Sequence, residues 1–63
     1  MKLKEKREAA GMSQADLARE TGISVRVIQN YEQGIRPLNG ARAITVLKIA
    51  RALGCTVEDL IEE

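Results

Sequence analysis

The chain has 63 residues, with one cysteine, no histidine and a net charge of +1 from ten basic and nine acidic residues. A chain this short forms one small domain of marginal stability, so residues 1–63 are expected to be a single domain. Cys55 has no partner for an internal disulfide, and one thiol without a histidine does not make a zinc site. We therefore expect no enzyme activity, no metal and no cofactor.

The apolar residues are mostly Ala, Leu, Ile and Val, and one tyrosine is the only aromatic residue. This composition suits helices better than a sheet. No apolar run is long enough to cross a membrane, and the charged N-terminus is not followed by the apolar stretch of a signal peptide. The chain is thus expected to be cytoplasmic, away from membranes, with Cys55 reduced.

The first predicted helix covers residues 2–10, because Leu3, Arg7 and Ala10 fall on one helical face. Gly11 ends this helix in a left-handed conformation. The prediction is an amphipathic first helix whose inner face includes a charged residue.

The second predicted helix covers residues 14–21. Ser13 caps it, and Asp16 stands three residues later as in a capping box. Gly22 ends the helix. Its predicted inner face is formed by Leu17, Ala18 and Thr21.

The third predicted helix covers residues 25–33, with Ser24 as its cap and Gly34 after its end. Its inner positions are Val27, Ile28 and Tyr31. Only residues 22–24 separate it from the second helix. So short a connection forces a sharp angle between the two helices, which is typical of a helix-turn-helix.

The fourth predicted helix covers residues 40–53, with Asn39 as its cap and Gly54 at its end. Its core face is Ala43, Val46, Ile49, Ala50 and Leu53, and its opposite face is Ile44, Lys48 and Arg51. Thr56 caps a short fifth helix, residues 57–61. No segment alternates with period two for long enough to predict a strand.

Four segments together carry a resemblance to a known family: SQADLA at 13–18, GIS at 22–24, VIQNYEQG at 27–34 and LKIARALGCTVEDLI at 47–61. This ordered set resembles the helix-turn-helix of the Cro and phage-repressor family, often called the Xre family. The resemblance implies an all-α, compact five-helix lambda-repressor-like domain. Helices two and three would form the helix-turn-helix, and helix three would lie in the major groove of double-stranded DNA.

The resemblance also implies roles for individual residues. Val25, Arg26 and Asn30 match base-reading positions, whereas Gln14 and Arg36 match positions that contact phosphate. Residue chemistry agrees: arginine bonds both guanine acceptors, asparagine bonds adenine, and residues at i and i+4 share a helix face.

Further contacts are expected from Gln29 at a base edge and from Ser24 and Gln33 at phosphate. The resemblance also implies a buried or half-buried ion pair between Arg7 and Glu32, which would join helix one to helix three.

The charge is unevenly distributed: residues 1–55 hold all ten basic residues and five acids, whereas residues 56–63 hold four acids and no base. A basic body is compatible with an anionic partner such as nucleic acid. We expect a sequence-specific double-stranded DNA-binding transcriptional regulator, a small repressor. It would bind a palindromic operator as a weak homodimer, with no small-molecule effector apparent.

The alternative is a protein-interaction module on the same fold, such as an antitoxin or an assembly factor. Exposed Ile44 and the acidic fifth helix would then form the contact surface.

Overall fold

The computed structural model describes residues 2–61. Over that range the chain is all-α, as predicted, and has no strand. None of the helices within residues 2–61 is both long and apolar enough to cross a membrane. The elements in chain order are α1 (Lys2–Ala9), α2 (Gln14–Thr21), α3 (Val25–Glu32), a 3-10 turn (Leu38–Gly40) and α4 (Ala43–Leu53).

The first helix ends in a Schellman motif, as the glycine predicts. Gly11 has a φ of 71°. Its N–H donates to the Glu8 carbonyl at 3.0 Å, and the Met12 N–H donates to the Arg7 carbonyl at 3.2 Å. The helix ends at Ala9, one residue before the predicted end, and the predicted inward position Ala10 is exposed.

The junction between α2 and α3 follows the predicted capping residues. Ser13 and Asp16 form a complete capping box, and Gly22 is left-handed with a φ of 73°. Ser24 Oγ accepts the Val27 N–H at 3.2 Å. Helix α2 has the predicted bounds, and α3 ends at Glu32, one residue earlier than predicted.

The predicted start of the fourth helix is wrong. Asn39 does not cap it, because Asn39 lies inside the 3-10 turn that carries Leu38 into the core, where Leu38 is 2% exposed. Extended backbone follows the turn, so the N-cap of α4 is Arg42 and the helix begins at Ala43. Ala43 is exposed rather than inward-facing.

The predicted fifth helix is also wrong over the described residues, so the domain has four α-helices and a 3-10 turn rather than five helices. Thr56 and Asp59 exchange the two hydrogen bonds of a capping box, at 3.0 and 3.2 Å. Only one turn follows, in which the Leu60 N–H bonds the Val57 carbonyl three residues back. A single turn makes too few hydrogen bonds to offset helix nucleation, and burial of Leu60 holds this segment in place.

The core is mainly aliphatic, with Tyr31 as its one aromatic member, and receives a side chain from every helix. Its largest fully buried side chains are Leu3, Leu17, Ile28, Ile49 and Leu60. Helix α2 packs against both α3 and α4, and α1 packs against α3. Because the core covers the inner face of α3, its outer face is left open.

Candidate nucleic-acid interface

The outer face of α3 carries three of the predicted site residues, Arg26, Gln29 and Asn30, and the C-cap residue Gln33 continues their helical spacing. Arg26 and Gln33 are exposed, and Gln29 and Asn30 are half-buried. Residues at i, i+3, i+4 and i+7 lie on one side of a helix. The fold therefore brings these side chains together on one polar surface, with half-buried Val25 at its N-terminal edge.

The electrostatics of this surface favour an anion. The first turn of α3 has no acidic residue, and the helix N-terminus carries a positive partial charge. Arg26 and Arg36 are exposed, and neither makes an ion pair with another residue in the described part of the chain. Both guanidinium groups are thus available to a partner.

Ser24 caps α3 and still keeps a hydrogen-bond donor. Its Oγ accepts the Val27 N–H, but its own hydroxyl hydrogen is not needed for the cap. Ser24 is exposed, so that hydrogen can meet a group approaching the helix N-terminus.

An open groove of about 490 Å³ follows α3, lined by Tyr31, Arg36, Arg42 and Thr45 among others. The sequence predicts Arg36 at this surface, but it predicts Tyr31 in the core alone. Tyr31 is 6% exposed, so most of the ring is in the core while its remaining surface borders the groove. The groove adds two guanidinium groups beside the end of α3.

A bidentate ion pair joins α1 to α3. Arg7 Nε lies 2.7 Å from Glu32 Oε2, and Arg7 Nη2 lies 3.0 Å from Glu32 Oε1. The two side chains are 10% and 4% exposed. Arg7 Nη1 also donates to the Met12 carbonyl at 2.8 Å, which ties the pair to the turn before α2.

The pKa values show that both partners stay charged at neutral pH. Burial acts to raise the pKa of Glu32, but hydrogen bonds from Arg7 and Gln14 outweigh burial and lower it below its ordinary value of 4.5. The hydrogen bond to Glu32 raises the pKa of Arg7.

Two glutamines extend the ion pair toward the surface. Gln14 Nε2 donates to Glu32 Oε1 at 3.0 Å, and Gln29 Nε2 donates to Gln14 Oε1 at 3.3 Å. The sequence predicts separate roles for Gln14 and Gln29 and does not predict this connection. The sequence does place one amide at the first position of α2 and another on α3. Whether the two amides meet depends on how the two helices cross, which the sequence does not show.

One comparison with known proteins identifies the family of the chain. The profile of a helix-turn-helix family matches residues 3–60, a span that includes both helices of the motif and the turn between them. No curated protein and no solved structure matches the chain significantly.

Proposed function

Because the chain belongs to the Cro- and phage-repressor-like helix-turn-helix family, we propose that it binds double-stranded DNA in a sequence-specific way and represses transcription. The observation that supports this most is the outer face of α3, which is polar, bears Arg26 and has no acid in its first turn. The only acid on the helix, Glu32, is paired with Arg7. This face can approach a polyanion without repulsion.

Base reading would come from Val25, Arg26, Gln29 and Asn30. An arginine can bond guanine O6 and N7 together, and an asparagine can bond adenine N6 and N7. Arg26 and Asn30 stand one helical turn apart, so they would address neighbouring base pairs in one major groove. Val25 would contact a thymine methyl group.

Phosphate contacts would hold α3 in register. Ser24 offers a hydroxyl at the start of the helix, and Gln33 and Arg36 are exposed at and beyond its end. Gln14 stands at the N-terminus of α2, where unsatisfied N–H groups favour an anion. These contacts carry no sequence information, but they fix the protein on the duplex.

One recognition helix buries little surface, so tight binding requires two copies on a palindromic operator. Repression would follow from occupying a promoter and requires no reaction on the DNA.

The test is a selection of bound fragments from genomic DNA, followed by titration of a random duplex at several salt concentrations. A DNA-binding protein yields an enriched motif, and its affinity for random duplex falls steeply as salt rises. Recovery of no motif, together with no salt-dependent binding to any duplex, would overturn the proposal.

A protein-interaction module is the second candidate, because Ile44 is 54% exposed on the outer face of α4. An exposed isoleucine beside Lys48 and Arg51 would fit a partner with an apolar and acidic surface. The same titration separates the two functions, because a protein-binding module gives no enriched DNA motif.

A further inference from the structure

Glu32 lies behind the outer face of α3, and hydrogen bonds through Gln14 connect it to Gln29 on that face. We propose that Glu32, acting through Gln14, determines which end of the Gln29 amide faces DNA. Gln29 then prefers a base that offers a hydrogen-bond donor. This inference rests on the proposed function, and it assigns Gln14 and Glu32 as positioning residues for base reading.

The first step is the contact between Glu32 and Gln14. An ionised carboxylate only accepts hydrogen bonds. Its Oε2 takes Arg7 Nε, and its Oε1 takes both Arg7 Nη2 and Gln14 Nε2. If the Gln14 amide turned over, its carbonyl oxygen would face the carboxylate, and two acceptors would meet at a side chain that is 4% exposed. Gln14 is therefore held with its nitrogen toward Glu32.

The second step passes this constraint to Gln29. With its nitrogen on Glu32, Gln14 presents its carbonyl oxygen to α3, where Gln29 Nε2 donates to it at 3.3 Å. If the Gln29 amide turned over, its carbonyl oxygen would face the carbonyl oxygen of Gln14, and two acceptors would meet without a hydrogen between them. Gln29 Oε1 makes no hydrogen bond within the described residues, so it is left to accept from a partner.

The third step is the match to a base edge. In the major groove adenine and cytosine present amino donors, whereas guanine and thymine present oxygen acceptors. A glutamine with a free amide turns over to suit either kind. Gln29 offers its oxygen and one remaining N–H, so adenine, with a donor at N6 and an acceptor at N7, fits best and cytosine comes next.

The test compares base preferences by selection from a duplex randomised through the bound site. Gln29→Ala identifies the base position that this residue reads. Gln14→Met then removes the amide link and leaves the Arg7–Glu32 pair in place. We expect Gln14→Met to reduce the preference for adenine and cytosine at that position about fivefold or more, within the range of one base contact. Preferences that depend on Arg26 stay unchanged.

A purely phosphate-contacting Gln14 gives a different result, because loss of a phosphate contact weakens binding uniformly across sequences. If Gln14→Met lowers affinity but keeps the base preference at the Gln29 position, the positioning role is overturned and DNA binding stands. A parent protein without any sequence preference would overturn the proposed function and the base preference together.

A measurement without DNA tests the link itself. In the free protein, NMR exchange of the Gln29 side-chain NH2 with solvent reports its bond to Gln14. We expect Gln14→Met to speed this exchange, whereas Gln33→Met, a matched change on the same face, leaves it unchanged. Equal exchange in the parent and in Gln14→Met would show that Gln14 does not hold Gln29.

Discussion

Glu32 accepts hydrogen bonds from two other helices, from Arg7 on α1 and from Gln14 on α2. A carboxylate near the end of a helix is disfavoured by the helix dipole, and burial adds to that cost. Three donated hydrogen bonds compensate for both. At the residue scale, one charged group thus sets the relative placement of three helices.

Removing this carboxylate should destabilise the fold strongly. In Glu32→Ala the Arg7 guanidinium loses its partner while its side chain remains buried, which costs about 3–5 kcal/mol. For a domain of this size, each kcal/mol of lost stability lowers the midpoint temperature of thermal unfolding by about 4–8 °C. We therefore expect Glu32→Ala to lower this midpoint by at least about 12 °C, as measured by circular dichroism.

Arg19→Ala is the control for the loss of an ion pair, because Arg19 pairs with Asp16 at the exposed surface. Such a pair contributes below about 1 kcal/mol. The contrary outcome is a Glu32→Ala protein that melts at about the same temperature as the control, within two or three degrees of the parent. That result would show that the buried Arg7–Glu32 pair contributes little to folding stability.

The lowered pKa of Glu32 predicts loss of stability in acid. A carboxyl whose pKa is lower in the folded state stabilises the fold above its unfolded pKa, and this contribution is lost as pH falls through the folded pKa. The thermal midpoint of the parent should stay constant near neutral pH. It should decrease once the pH drops below 4.5, the ordinary pKa of a glutamate carboxyl. Asp16 and Asp59 act in the same direction, because hydrogen bonds from the backbone N–H groups of Ser13 and Thr56 lower their pKa values.

Glu32→Gln isolates the share of Glu32 in this pH dependence. We expect a lower midpoint at neutral pH and a shallower decline in acid than in the parent, measured by thermal melts from pH 7 downward. Parallel curves for the two proteins would assign the acid sensitivity to other carboxyl groups.

Base choice should depend on Arg26 and Asn30. Replacing either with alanine is expected to cost about 1–3 kcal/mol on the best site and to relax preference at one base position. Competition binding with single-base variants of the selected site measures both effects. Arg51→Ala on α4 is the matched control for charge, and equal losses in Arg26→Ala and Arg51→Ala would refute base reading by Arg26.

At the scale of elements, the turn between α2 and α3 depends on Gly22. Its φ is 73°, which a residue with a Cβ adopts at a cost of about 1–2 kcal/mol. Apart from Gly22 and its two neighbours in the chain, no heavy atom lies within 4 Å of the position of an added Cβ, so backbone strain alone sets the cost of Gly22→Ala. We expect this loss of stability in denaturant titration.

Gly40→Ala is the matched control, because Gly40 lacks a positive φ and its added Cβ would lie 3.6 Å from Pro37 Cγ, an ordinary contact. We expect that change to be neutral or slightly stabilising. Equal destabilisation by both alanines would contradict the strain argument.

The helix-turn-helix was predictable because its limits are encoded locally. Ser13, Gly22 and Ser24 each act within three or four residues of their own position, and α2 and the start of α3 have the predicted bounds. The start of α4 was not predictable in this way. It depends on burial of Leu38 in a core that exists only when the helices are assembled, and this tertiary contact overrides the capping preference of Asn39.

The predicted fifth helix shows that a correctly predicted cap does not ensure that a helix follows it. Thr56 and Asp59 form the capping box that the sequence indicates, but a cap does not supply the length that a helix needs. At the site, the shared outer face of α3 followed from helical periodicity, whereas the link from Gln14 to Gln29 depends on how two helices cross.

At the scale of the whole molecule, the proposed dimer must leave α3 free. Ile44 is exposed on α4, and the acidic residues of the sequence are concentrated after residue 55. We expect weak dimers that tighten on a palindromic duplex with half-site centres about 34 Å apart. Analytical sedimentation with duplexes that differ in half-site spacing measures how many proteins bind each duplex.

Ile44→Gln should weaken the dimer and leave binding to a single half-site unchanged. Ile35→Gln is the matched control, because Ile35 is also exposed but lies in the loop after α3. One protein per duplex at every spacing, well above the dissociation constant, would contradict the dimer.

Tyr31 is the single aromatic side chain and therefore the single intrinsic fluorophore of the chain, which has no tryptophan and no phenylalanine. The ring lies in the core on α3, and its exposed edge borders the groove with Arg36 and Arg42. Unfolding moves that ring from an apolar environment into water, so the ultraviolet emission of one residue follows the transition without an added label. The optical signal belongs to α3 alone and reports on the element that is proposed to read DNA.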